Sequence, residues 1–135
     1  MASFGKASQA QLDTLHPDLQ MVLVDAVQYY DFAIIEGHRG EVAQNAAFAK
    51  GLSKLQWPHG NHNKNPSTAA DCAPSPIDWS NREDAIRRFV YMAGFIMSSA
   101  RRLGIKLRWG GDWNQNDDLR DEGKFRDFPH FELVD

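Results

Sequence analysis

A single cysteine, Cys72, among 135 residues excludes an intramolecular disulfide and any metal site built mainly from thiolates. Long apolar runs are missing too. The most apolar stretch, Phe89 to Met97, falls far short of the roughly 20 residues a spanning helix needs. Residues 1 to 11 carry one lysine and no apolar segment, so no secretory signal peptide is read there. Neither sign of charge dominates: 15 Lys+Arg against 18 Asp+Glu give a formal net charge of −3. That balance argues against affinity gained by neutralising nucleic-acid phosphates or anionic lipid. Internal repeats, low-complexity segments and linkers are absent. Hydrophobic residues at 42% and charged residues at 24% exclude wholesale disorder. The expectation is one soluble domain over residues 1–135, made in the cytosol and able to bury a core without disulfide staples.

What is present is a mixture of helical and extended patterns. Pro17 fits the first position of a helix, where its missing N–H costs nothing. Leu19, Val22, Leu23, Ala26, Val27 and Tyr30 then recur as one apolar stripe. Phe32 to Ile35 reads as a strand ending at Glu36-Gly37, with Arg39 in the loop beyond. Glu41 to Lys50 is alanine-rich and helical, with Gly51 as its C′ residue. Residues 53–68 hold prolines, glycines and asparagines and read as a loop. Ala69 to Ala73 fits a short buried strand. Ser80-Asn81-Arg82-Glu83 predicts a capping box, opening a helix with the stripe Ile86, Phe89, Val90, Ala93, Ile96, Met97 and Ala100, stopped by Gly104. Ile105 to Trp109 predicts a strand, Gly110-Gly111 a turn, 114–124 an acidic loop, and Phe128 to Val134 a last strand. Without a βαβ rhythm, the fold class is α+β with a small, mainly antiparallel sheet and helices around it.

Five histidines stand at 16, 38, 59, 62 and 130. His16 precedes a helix start and His38 lies in a loop beside Arg39. His62, Asp71 and His130 are the set with chemical interest. Asp71 lies among small apolar residues, where a carboxylate needs a strong partner to offset desolvation. Two imidazoles and one carboxylate leave a fourth tetrahedral position open, the pattern of a catalytic zinc site. From spacing alone, a capping or ion-paired Asp71 with two unrelated histidines is the preferred account. Asp127, three residues before His130, adds a carboxylate that a general base requires. Positions three apart on an ideal strand face opposite sides, so this pairing needs a turn or bulge, which Pro129 permits. A turn carboxylate before a proline is the equal alternative.

Four blocks taken together carry a resemblance. Gly60-Asn61-His62-Asn63-Lys64-Asn65-Pro66-Ser67-Thr68-Ala69-Ala70-Asp71 resembles the first zinc motif of the VanY-like D-Ala-D-Ala peptidases, closest to the version in phage L-alanyl-D-glutamate endopeptidases. Trp109-Gly110-Gly111-Asp112-Trp113 is similar to the family's tryptophan-diglycine segment. Asp127 to Glu132 resembles its closing acid-x-Pro-His-Phe-Glu motif. Ile35-Glu36-Gly37-His38-Arg39 resembles the segment that delivers an arginine to the active site. The resemblance implies the fold shared with Hedgehog signalling domains. It also implies zinc on His62, Asp71 and His130, with Asp127 as general base and acid and Arg39 on the carbonyl oxygen or oxyanion. Gly60 stands where the family usually has serine, and the His-to-Asp interval is two residues longer than in the shorter family version. His59 is a rival ligand ranked below His62, on which the motif aligns.

The activity implied is hydrolysis of the L-alanyl-D-glutamate bond in peptidoglycan stem peptides, by a monomeric phage endolysin without a separate wall-binding domain. Made in the host cytoplasm, it would reach the periplasm after holin-type release. The alternatives are a D-alanyl-D-alanine carboxypeptidase, which would be expected to carry an export signal, and a zinc-bearing binding module lacking the base or a ligand. A metal-free virion structural protein would require every motif to be coincidence. Cys72 should point away from the site as a small buried hydrophobe, and the four tryptophans fit core or cleft walls. Asp112-x-Asn114-x-Asn116-x-Asp118 partly imitates a calcium loop but lacks its glycine at position six and glutamate at position twelve. Calcium is therefore set behind a solvated acidic loop.

Overall fold

The computed structural model describes residues 2–121 and 126–134. Its elements are α1 (Lys6–Leu12), α2 (Pro17–Val27), β1 (Phe32–Glu36), α3 (Glu41–Ala49), β2 (Ala69–Pro74), α4 (Glu83–Arg102), β3 (Leu107–Gly110) and β4 (Asp127–Leu133), with 3-10 turns at Asn61–Asn63 and Leu119–Asp121. The four strands form one sheet in the order β1-β2-β4-β3, and every neighbouring pair is antiparallel. This is the expected α+β architecture. No helix among the described residues is long and apolar enough to cross a membrane.

Strand alternation gives the sheet two chemically different faces. Phe32, Ile34, Cys72, Leu107, Trp109 and Phe131 point into the core, beneath α2 and α4. The α2 stripe is buried as predicted at Leu19, Val22, Leu23, Ala26 and Val27. Residues between the core positions, among them Asp71, His130 and Glu132, fall on the opposite face, which no long helix among the described residues covers. Cys72 is buried among core side chains and faces away from Asp71.

Several expectations need correction. α1 is a helix that the sequence reading did not assign. α4 begins without a capping box: Arg82 is its N-cap and contributes no side-chain hydrogen bond. Asp78 explains this, because its carboxylate accepts the Ser80 N–H at 2.9 Å and forms a local turn instead. The buried face of α4 runs through Ala85, Phe89, Met92, Ala93, Ile96, Ser99 and Ala100, leaving Ile86, Val90 and Met97 only half-buried. β3 starts at Leu107 because Ile105 belongs to the end of α4. The Ile105 N–H reaches the Ala100 carbonyl at 2.9 Å around Gly104 at φ +73°, a Schellman closure. Gly51 ends α3 the same way at φ +74°, as expected. The acidic segment 114–124 is described only as far as residue 121.

Candidate active site

Strand register assembles the site. Asp71 in β2 lies directly opposite His130 in β4, so both side chains leave the same face of the sheet. On the other side Ile34 pairs with Cys72, but Asp71 is opposite Glu36, with Ile35 left over as a bulge. In unbroken register Glu36 would pair with Ala70 and face the core. The extra residue turns it toward Asp71 instead. β4 has a larger irregularity. Trp109 pairs with Phe131, yet the next residue, Gly110, pairs with Asp127. The intervening residues bulge out, bringing Asp127 Oδ2 to 4.0 Å from His130 Nδ1.

His62 enters from the Asn61–Asn63 turn and is buried at 5% exposure. Its Nδ1 lies 2.7 Å from the Gly37 carbonyl. A carbonyl only accepts, so Nδ1 carries the proton and the bare Nε2 faces Asp71 Oδ1 at 3.4 Å. His130 is oriented in the opposite sense. Its Nε2 meets Glu132 Oε1 at 2.7 Å, turning Nδ1 toward the same Asp71 oxygen at 3.4 Å. Ligand atoms from His62, Asp71 and His130 all lie within 4.8 Å of one another. Two of them, His62 Nε2 and Asp71 Oδ1, are buried without a hydrogen-bond partner. Two facing acceptors of this kind could hold a cation between them, and an N₂O donor set is one zinc accepts.

The chain as a whole matches the family model of the phage L-alanyl-D-glutamate peptidases over residues 1–134. The L-alanyl-D-glutamate peptidase of Escherichia phage T5 is 40% identical over 141 residues, covering 97% of each chain. The chain belongs to the phage L-alanyl-D-glutamate peptidase family. Among solved structures, the L-Ala D-Glu endopeptidase ChiX of Serratia marcescens superposes with a TM-score of 0.75 at 26% identity, over 98% of this chain and 90% of that one.

In this peptidase Arg39 lies beside the three candidate ligands. Its guanidinium pairs with Glu36, through Nε at 2.5 Å and also through Nη2, and Nη2 is 3.7 Å from Asp71 Oδ2. Nη1 donates to Gln44 Oε1 at 3.0 Å. Gln44, 1% exposed, is the one buried residue of α3. Its oxygen also accepts from Asn63, while its amide nitrogen donates to Ser53 Oγ and the Leu55 carbonyl. Arg39, the His62 turn and the 53–55 loop are thus fastened through one amide. Gly60 is packed from the side: a Cβ there would press on Asn63 Oδ1, which accepts the Gly60 N–H at 2.9 Å.

Charge follows this geometry. Burial pushes the Asp71 carboxyl up, but the His130 and His62 rings that face its Oδ1 at 3.4 Å outweigh it and hold it well below the usual range. Burial lowers His130, yet Asp71 and Glu132 raise it to about 9. Burial raises Glu132, while His130 and Arg108 bring it down to about 2. Asp127 is shifted upward, first by burial and then by the charge of Asp71. It is the carboxyl of the group most ready to take a proton.

The site opens into a cleft of about 760 Å³, walled by Leu52, Leu55, Trp79 and Trp113 besides the polar groups. Trp113 lies tilted against His130 at 5.5 Å between centroids, whereas Trp109 is core and donates to the Phe128 carbonyl. His59 is exposed and outside the ligand group, His16 caps α2, and His38 contacts the Lys64 carbonyl. In the acidic loop, side-chain oxygens of Asp112, Asn114, Asn116 and Asp118 accept backbone N–H groups of Asp117, Asn116, Asp118 and Arg120.

The sequence reading gave no role to Glu132, Gln44, Glu36 or the Gly37 carbonyl. Glu132 had a signal, since it shares a strand face with His130 two residues away. Gln44 had none, being one of three polar residues in an alanine-rich helix.

Proposed function

We propose that this peptidase hydrolyses the L-alanyl-D-glutamate bond of peptidoglycan stem peptides, with zinc held by His62 Nε2, Asp71 and His130 Nδ1. The facing pair of unpartnered ligand atoms on His62 and Asp71 is the observation that carries the metal reading. Bound there, zinc would polarise a carbonyl and acidify water. Asp127, raised by burial and close to His130, accepts the proton of the attacking water and returns it to the leaving amine. The Arg39 guanidinium, anchored by Glu36 and Gln44, stabilises the negative charge that grows on the carbonyl oxygen.

The four motif blocks support a wider kinship with the VanY-like peptidases and their Hedgehog-type fold. Residues 1–135 act as one catalytic unit, and holin-type release brings a cytosolic enzyme to the wall. The test is to digest purified peptidoglycan with the zinc-loaded protein, with and without a zinc chelator, and to analyse products by mass spectrometry. Chelator-sensitive release of peptides beginning at D-Glu is expected. Loss of terminal D-Ala alone would make the protein a carboxypeptidase. No cleavage by metal-loaded protein would make it a binding module. The same digest run with a calcium-selective chelator tells whether the Asp112–Asp118 loop needs calcium.

A further inference from the structure

The peptide unit joining Gly37 to His38 is held from both sides. Its carbonyl accepts the His62 Nδ1–H at 2.7 Å, and its N–H donates to Thr14 Oγ1 at 3.0 Å. Thr14 is in turn fixed, because its hydroxyl donates to the Gln11 carbonyl at 2.7 Å. The preceding peptide is caught by the same segment: the Gly37 N–H donates to Gln11 Oε1 at 3.0 Å. One turn earlier, Ser8 Oγ accepts the Ile34 N–H at 3.0 Å. Ser8, Gln11 and Thr14 are spaced three apart and line one face of α1 and its end. Edge strand β1, with only β2 beside it in the sheet, therefore gains a row of side-chain acceptors in place of a further strand.

Gly37 is where this row presses hardest. A Cβ there would collide with Thr14 Oγ1, the Gln11 carbonyl and Leu15, so the close approach itself requires glycine.

We infer that Thr14 is a positioning residue for the metal ligand His62, acting through the Gly37–His38 peptide. The physical basis is the planarity of that peptide. Fixing its N–H fixes the direction of its carbonyl, and with it the plane of the His62 ring. Hydrogen bonds in series also polarise one another. A Thr14 oxygen drawing on the N–H makes the carbonyl a stronger acceptor, which holds the proton on Nδ1 and leaves the Nε2 lone pair the better metal ligand. Groups that orient metal-bound histidines through the second ring nitrogen shift metal affinity by about 10–100-fold. Thr14 stands one bond further out, so about tenfold is the expected effect.

This inference rests on the proposed metal site, and its test separates the two. Zinc dissociation constants are measured by competition with a chromogenic chelator for the wild-type protein, Thr14→Val, Thr14→Ser and His62→Ala. In the same zinc-loaded proteins, NMR follows the His62 Nδ1–H resonance and its exchange with solvent. Thr14→Val, nearly isosteric but without the hydroxyl, should raise the dissociation constant about tenfold. Its Nδ1–H should exchange faster and move upfield. Thr14→Ser should restore both. A folded Thr14→Val protein with wild-type affinity and an unmoved Nδ1–H signal would overturn the inference. So would a wild-type protein whose His62 carries its proton on Nε2, a result that needs no variant to fold. Wild-type protein that binds zinc no better than His62→Ala would instead sink the metal site itself.

Discussion

Asp127 concentrates the proposed chemistry in one carboxyl group. It faces His130 across the mouth of the ligand group without belonging to it. Asp127→Asn should therefore keep metal affinity within about twofold while kcat falls about 10²–10⁴-fold. Metal titration beside turnover on stem peptides checks both halves, and near-normal turnover would remove Asp127 as the base. At this scale the sequence was legible where side chains were chemically out of place. Asp71 among alanines and His62 in an asparagine-rich loop stood out for that reason. The partners that orient them did not. The Gly37 carbonyl is backbone, invisible to residue type, and Gln44 becomes a hub only when α3, the Asn61–Asn63 turn and the 53–55 loop meet around it.

Bulges in β1 and β4 do at the scale of elements what no regular strand does. They move Glu36 and Asp127 onto the face that carries Asp71 and His130. Pro129 signalled the irregularity in β4, but nothing in Phe32 to Glu36 foretold that Ile35 would be skipped. Gly110 sustains the β4 bulge, because a Cβ there would strike the Asp127 backbone. Gly110→Ala should displace Asp127 and lower kcat about 10²-fold, with zinc still bound; unchanged turnover would show that the bulge is not needed. Helices α2, α3 and α4 were read in place, whereas α1 was missed, and Asp78 took the turn assigned to Ser80 and shifted the start of α4. Its far end is tied to α2 by Arg102 and Asp25 at 2.6 Å. Hydrogen bonds from Ser99 and Arg102 lower the Asp25 carboxyl. A depressed pKa stabilises the fold above the unfolded value of about 3.9 and ceases to do so as pH falls through the folded value. Asp25→Asn should accordingly cost about 0.2–1 kcal/mol at pH 7. Denaturant unfolding at pH 7 and pH 3 should show the difference between variant and wild type shrinking in acid, and an equal gap at both would refute the ion pair as its source.

Over the whole molecule, stability and site are opposed by the two faces of one sheet. The core face buries Phe131, Ile34 and Leu107 under α2 and α4. The other face collects Glu36, Asp71, Asp127 and Glu132 around two imidazoles, with Arg39 and Arg108 beside them. Four carboxylates so close repel one another, and Asp71 Oδ1 and His62 Nε2 lack donors. A divalent cation bound there would answer both deficits and would bind only when β2, β4 and the Asn61–Asn63 turn are assembled. Binding to the folded state alone stabilises it by mass action, about 2.7 kcal/mol at a free metal concentration 100 times the dissociation constant. Zinc-loaded protein should therefore melt about 10 °C above chelator-treated protein on this scale, and zinc added back should restore the difference. His62→Ala separates site binding from unspecific effects of the chelator. Its melting temperature should not respond to zinc at concentrations that raise that of the wild type. An equal response in both proteins would place the stabilising ion elsewhere on the chain.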